Sequence, residues 1–139
     1  MPRRETHHEA VRSALVAEGW SITSDPLRLQ YGGVELYVDL GAERLLAAER
    51  GNECTAVEVK SFVGQSDIAE SYGALGQYLS YRQVLAHEDP ARTRFLAVPE
   101  DMWTGFFTLP FAREMLDQHR VCLIVCDMER EEIRQWTRS

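Results

Sequence analysis

Positive charge is what this chain has least of. Its 15 Lys and Arg face 22 Asp and Glu, for a net charge of -7 and a pI near 5.1. A protein that grips a nucleic-acid duplex alone draws on Lys and Arg to neutralise phosphates. That shortage leaves two arrangements for a polyanion: a local basic patch or metal that offsets the acidity, or a partner that does the holding. Cysteine is also scarce. Cys54, Cys122 and Cys126 are an odd set, which argues against a disulfide framework, and they lack the paired spacing of a zinc site. They are expected to be reduced, mostly buried thiols of a cytoplasmic protein, with Cys122 and Cys126 on one face of an apolar strand. No run of about 20 apolar residues offers a membrane span. Met1-Pro2-Arg3-Arg4-Glu5 leads into no apolar stretch, so no signal peptide is expected. Repeats, linkers and low-complexity segments are absent too. What remains is one domain over residues 1–139, large enough to bury a core and with the 45% hydrophobic and 27% charged composition of an ordinary globular protein.

Thr6 with Glu9 three residues on reads as a capping box, opening a helix that Gly19 stops. Trp20 to Thr23 reads as a short strand, broken by Asp25-Pro26. Leu27 to Tyr31 and Val34 to Leu40 make a hairpin around Gly32-Gly33. Arg44 to Arg50 and Cys54 to Ser61 make a second strand pair around Gly51-Asn52. Asp67 to His87 is the longest helical candidate, with Ile68, Tyr72, Leu75, Leu79, Arg82 and Leu85 in its stripe. Gly73 and Gly76 lower its propensity but allow close approach of another backbone or a substrate. Thr93 to Val98 reads as a buried strand, Pro99 to Phe107 and Phe111 to Gln118 as helices, Val121 to Cys126 as an apolar strand, and Glu132 to Trp136 as an edge strand. This order predicts an α/β mixed sheet with helices on both faces.

The run Ala56-Val57-Glu58-Val59-Lys60-Ser61 carries the chemistry. Side chains alternate along a strand, so Glu58 and Lys60 share one face. Two charges on an apolar strand are costly unless paired or engaged with a metal. Asp39 stands nineteen residues before Glu58, at the end of a strand and the start of a Gly-containing bend. Asp39 and Glu58 can supply two carboxylates to a hard cation such as Mg²⁺ or Mn²⁺, with Lys60 beside a reacting phosphate or attacking water. The structural alternatives are a turn Asp bonding its own backbone and a buried Glu–Lys or Lys–Asp ion pair.

The segments Tyr37-Val38-Asp39-Leu40-Gly41-Ala42-Glu43-Arg44-Leu45-Leu46-Ala47-Ala48-Glu49, Ala56-Val57-Glu58-Val59-Lys60-Ser61-Phe62, Ala74-Leu75-Gly76-Gln77-Tyr78 and Leu96-Ala97-Val98-Pro99 carry a likeness that runs from about His8 to Trp136. Through them the chain resembles the PD-(D/E)XK nuclease superfamily and, within it, the XisH family, the fdxN-element excision controlling factors of cyanobacteria. The resemblance implies a restriction-endonuclease-like αβββαβ core. It implies catalytic roles for Asp39, Glu58 and Lys60, with the main-chain carbonyl of Val59 as a further metal ligand.

Other positions have competing uses. Glu43 lies 15 residues before Glu58 and competes with Asp39; the shorter Asp side chain holds a cation with less lost rotamer freedom. Glu9 either joins the site from the first helix or only caps it. His8 either reaches the site or stays solvated. Gln77 and Tyr81, four apart on one helical face, match a pair seen in a nuclease branch related to recombination enzymes, where the Gln steadies the site. Ser61 is a hydroxyl next to Lys60. Trp103, Phe106, Phe107 and Trp136 are expected in the core or an interface rather than stacked on bases.

The resemblance implies a Mg²⁺-dependent endonuclease-like factor in site-specific excision of a DNA element during heterocyst differentiation, a DNA rearrangement by recombination, with an XisI-type protein as partner. The alternatives are a catalytically silent nuclease-fold regulator acting through that partner, and an RNA- or toxin-like nuclease held silent by it. A homodimer is also conceivable from exposed sheet edges.

Overall fold

A computed structural model describes residues 3–47, 51–62 and 67–138. The chain runs α1 (Arg3–Ala17), β1 (Ser21–Ser24), β2 (Leu27–Tyr31), β3 (Val34–Val38), β4 (Leu40–Ala47), β5 (Gly51–Val59), α2 (Asp67–Glu88), β6 (Arg92–Pro99), α3 (Glu100–Thr104), α4 (Pro110–Gln118), β7 (Leu123–Asp127) and β8 (Glu132–Thr137). Six strands form one sheet in the order β1-β4-β5-β6-β7-β8. Its first three strands pair antiparallel, β5, β6 and β7 run parallel, and β8 closes the edge antiparallel. The sheet is mixed, with helices on both faces, as the sequence predicts. With β2 and β3 set aside, the order α1-β1-β4-β5-α2-β6 is the expected αβββαβ core.

Alternation along the strands sorts the two cores. Leu40, Ala42, Val57, Phe95, Ala97, Ile124 and Cys126 face α1, which covers them with Val11, Ala14 and Leu15. Leu96, Val98, Leu123 and Val125 face the other way, under Ala74 and Tyr78 of α2 and Ala112 and Leu116 of α4. Phe106 and Phe107 are buried in that second core, and Trp136 packs on the first. All three cysteines are free thiols, Cys122 and Cys126 buried on the α1 side. Burial pushes the Cys126 thiol up to about 12, which makes it a packing group and not a nucleophile at neutral pH. Among the described residues no helix is long and apolar enough to cross a membrane.

The structure departs from the sequence reading in four places. Helix α1 begins at Arg3, so Thr6 lies inside it and is not its cap. The strand from Val34 does not continue to Leu40: it ends at Val38, and β4 starts afresh after Asp39. As a result β2 and β3 form a separate two-stranded ribbon through the expected Gly32-Gly33 turn, where φ is 61° and 88°. Leu29 and Val38 lay the ribbon on Tyr81, Val84 and Leu85 of α2, and the Tyr31 ring stacks on His87 at 4.0 Å. Gly51 and Asn52 are not the turn of the second hairpin but the first residues of β5; Arg50 lies outside the described residues. The helix expected over 99–107 is split by Gly105 into α3 and a single 3-10 turn at Phe106–Thr108. A Cβ at Gly105 would come within 2.9 Å of the Asp101 carbonyl, so the break needs glycine.

Candidate acidic site at the end of the central strand

The β4–β5 ladder stops at Leu40 opposite Val57. The chain enters β4 from the ribbon, which lies on the α2 side, so Asp39 cannot make the next ladder pair with its main chain. Side chains complete it instead. The Asp39 N–H donates to Glu58 Oε1 at 3.1 Å, and the Val59 N–H donates to Asp39 Oδ2 at 2.8 Å. Each carboxylate thus takes an amide that the frayed ladder would leave unpaired. Glu58 is 8% exposed and points to the α2 side with Ala56. There the Tyr81 hydroxyl donates to its Oε2 at 2.9 Å and lies 3.3 Å from the Tyr37 carbonyl.

Two carboxyl groups this close in a buried place repel when both are charged. Burial first, and then the Asp39 charge, push Glu58 from its ordinary 4.5 up to about 7, against the opposing Tyr81 hydrogen bond. Burial and the Glu58 charge also raise Tyr81, so it stays a phenol and a donor. With Glu58 ionised, Tyr81 gives its proton to the carboxylate. With Glu58 protonated, the carboxyl can donate to the Tyr81 oxygen while Tyr81 donates to the Tyr37 carbonyl. Replacing Tyr81 with Phe is expected to raise the Glu58 pKa further. A carboxyl-detected NMR titration checks this; a midpoint unchanged or lowered would remove Tyr81 from the site.

Asp39, Glu58 and the Val59 main chain are therefore brought together. Lys60 follows on the same side as Glu58, its N–H bonded to the Ala97 carbonyl at 2.9 Å, its side chain half-buried. It is the chain's only lysine. Ser61 lies one residue beyond, half-buried, on the rim of a cleft of about 450 Å³ at the carboxyl ends of the parallel strands. Glu43 sits in β4 opposite Cys54, four positions from Asp39, so of the two competing acids Asp39 is the one beside Glu58. Glu9 is exposed on α1, which covers the opposite face of the sheet from Glu58. His8 bonds Asp25 at 2.9 Å, next to an Arg12–Asp25 ion pair, away from the acidic pair.

Gln77 is exposed on α2, and the hydrogen bonds around Glu58 are made by Tyr81, one turn further on. The supporting role expected of Gln77 has no contact behind it here; the hydroxyl that reaches Glu58 is that of Tyr81, four residues further on. The residue missing from the sequence reading is Tyr37, whose carbonyl takes part from β3. A backbone group leaves no trace in side-chain chemistry.

The donor set suits a hard cation. Asp39 and Glu58 supply oxygen ligands with lone pairs to spare. The Val59 N–H points to Asp39, and in a strand the carbonyl of the same residue points to the same edge. Among the described residues no three His, Cys, Asp or Glu side chains converge as a metal group. Mg²⁺ commonly takes one or two carboxylates and completes its shell with water and phosphate oxygens, so two side chains suffice for it.

A mixed six-stranded sheet with an αβββαβ core, and a buried Glu58 beside a half-buried Asp39 at the end of its central strand, define the class of this domain. The chain belongs to the XisH family, whose model, described as XisH protein, matches residues 1–134. It is similar to the solved structure of an XisH family protein from Nostoc punctiforme, at 42% identity and a TM-score of 0.87, over 94% of this chain and 98% of that one. It is similar also to a solved fdxN element excision controlling factor protein from Anabaena variabilis, at 43% identity and a TM-score of 0.87, over 96% and 98%. No curated protein matches the chain.

Proposed function

We propose that this protein is a Mg²⁺-dependent, endonuclease-like factor of the PD-(D/E)XK type that takes part in controlled excision of a DNA element. The observation that carries this reading is the buried Glu58 carboxylate held against Asp39 on the strand that leads into Lys60. A fold does not need two adjacent acids, one of them buried, to finish a ladder, because an Asn and a Gln would accept the same amides without repulsion. Charge kept at such cost suits a cation ligand. The excision role comes by extension from the Anabaena variabilis relative.

In this reading Asp39, Glu58 and the Val59 carbonyl hold the metal. When bound, the metal polarises the scissile phosphate and lowers the pKa of a water. Glu58 is fixed from both sides, by the Asp39 amide and the Tyr81 hydroxyl, so its free lone pairs keep one direction. The Lys60 ammonium orients the attacking water or offsets charge developing on the phosphate. Its anchored main chain keeps it on the Glu58 face.

A second reading is a catalytically silent regulator that works through an XisI-type partner. The net charge of -7 favours it, as does the use of each carboxylate in a ladder hydrogen bond. Calorimetric titration with Mg²⁺ and Mn²⁺, of the wild type and of Glu58→Ala, separates the two, followed by plasmid nicking with and without the partner. The nuclease reading expects binding that the substitution abolishes, and metal-dependent nicking that Lys60→Met removes while metal binding remains. Neither binding nor nicking in any of these backgrounds would leave the regulator.

A further inference from the structure

At the far flank of α2 from Glu58, two guanidinium groups share one ring. Those of Arg82 and Arg94 each lie 5.9 Å from the centre of the Tyr78 ring. The Tyr78 hydroxyl is itself fixed, accepting from the Cys122 N–H at 3.0 Å and donating to the Arg120 carbonyl at 3.4 Å. Arg120 therefore stands at the same corner, with its side chain exposed. None of the three arginines is ion-paired with a carboxylate among the described residues. In a chain of net charge -7, two guanidinium groups on one tyrosine ring, with the main chain of a third arginine bonded to that tyrosine's hydroxyl, gather positive residues at one corner.

Two details mark the corner as built for an anion. The Arg94 Nε is buried and has no hydrogen-bond partner, and a buried donor left open is costly. Arg120 occupies the left-handed position just past α4, with φ 53°, while Val121 N–H returns to the Leu116 carbonyl. Glycine is the residue that adopts this conformation without strain. An arginine here gives up stability for a charge at that spot. Arg82 also caps α4, donating to the His119 carbonyl at 2.6 Å. Asp117 does not neutralise the corner. Met115 lines a crevice with Leu75 of α2, and Asp117 lies about 200° round the helix from Met115, facing away.

We propose that Arg82, Arg94 and Arg120 form a phosphate-binding corner that holds the backbone of a nucleic acid close to the acidic pair. Arg94 is opposite Ala56 and Leu96 opposite Glu58, so Arg94 lies one strand over and two residues back from Glu58 on the same face. That places their Cα atoms roughly 8 Å apart, from strand spacing and rise. Between the two flanks the solvent face of α2 presents Gly73, Gly76 and Ser80, and nothing lies within 4 Å of a Cβ added at either glycine. The two glycines leave room for a backbone to approach the helix there. The corner deepens the nucleic-acid reading above but needs no cleavage.

The test is fluorescence anisotropy of a labelled DNA duplex in EDTA, over a range of salt, on the full chain. Arg120→Gly is the informative variant, because it removes charge and strain together. Its Tm is expected to stay level or rise, while affinity falls about threefold and the salt slope drops by about one. Arg94→Gln is expected to weaken binding similarly. Unchanged affinity and slope in Arg120→Gly and Arg94→Gln would overturn the corner, as would a wild type that binds no duplex. Duplex binding that polyglutamate or inorganic phosphate displaces as readily as unlabelled duplex does would overturn the nucleic-acid source. Binding that depends on Arg120 without any Mg²⁺-dependent nicking would uphold the corner while the nuclease reading fails.

Discussion

Glu58→Gln is expected to stabilise the folded protein at pH 8 by about 3 kcal/mol in the absence of divalent metal, and to do nothing of the kind at pH 4. The sign follows from the proton balance. Glu58 holds its proton up to about 7 in the folded state and gives it up near 4.5 when unfolded. Between those values the folded state binds more protons, so stability falls as pH rises. Below 4.5 the contribution is complete; above 7 it is gone. The size is the shift converted at 1.36 kcal/mol per pH unit. Glutamine keeps the shape: its oxygen accepts from the Asp39 amide, and its NH₂ donates to the Tyr81 oxygen while Tyr81 donates to the Tyr37 carbonyl. Acids such as the exposed Glu35 and the half-buried Asp127, held below their ordinary values by Arg28 and by backbone amides, pull the whole curve the other way. They are common to both proteins and cancel in the difference. Urea unfolding of both proteins from pH 4 to 8 in EDTA measures it. A glutamine variant less stable than wild type at pH 8 would show that the charged carboxylate is welcome there, and the strained-acid argument for a cation would collapse. In wild type alone, saturating Mg²⁺ is expected to restore stability at pH 8, since a ligand that binds only the folded state adds to it.

How much of this was readable beforehand depends on which level each feature lives on. Alternation in Val57-Glu58-Val59-Lys60 was enough to place Glu58 opposite the α1 core, because a two-residue period leaves no freedom. The Gly32-Gly33 turn was readable because two adjacent left-handed residues admit little else. The break at Asp39 was not. Val34 to Leu40 is a good strand by composition, and what ends it is the ribbon's packing on α2, a contact between segments more than forty residues apart. Gln77 and Tyr81 illustrate the same limit. Their shared face follows from spacing, but which of them reaches Glu58 depends on how α2 rolls against the sheet, fixed by Ala74, Tyr78 and Leu85 together. The arginine corner was invisible for that reason. Arg82, Arg94 and Arg120 lie in three separate elements, and only Tyr78 brings them to one point.

Phe95→Ala is expected to cost 3–5 kcal/mol, as large aromatic truncations in packed cores do. For a domain with the usual 5–15 kcal/mol, that is about a fifth of its stability or more. Phe95 is 1% exposed at the centre of the α1-side core. Its ring meets Trp136 edge-on at 4.9 Å, and the Arg138 guanidinium lies 5.0 Å above it. Trp136 in turn stacks on Trp20 at 5.7 Å and donates its ring N–H to Glu18. One side chain thus ties β6 to the edge strand β8 and to the segment that follows α1. The cavity cannot close cheaply, because its walls are two indoles and a sheet. Phe95→Leu, which keeps most of the volume, is expected to cost about 1 kcal/mol. The effect reaches the acidic pair, since Phe95 is opposite Val57 and Val57 precedes Glu58. A β5 free to sag toward the void loosens the Asp39–Glu58 bracket and wets it. The Glu58 titration in Phe95→Ala is therefore expected to move down toward the ordinary carboxylate range, and in Phe95→Leu to stay near its wild-type position. Denaturant unfolding gives the first quantity and a carboxyl NMR titration the second. A large loss of stability with an unmoved Glu58 would mean that the site is held by α2 and the ribbon alone, through Tyr81, without help from the core beneath it.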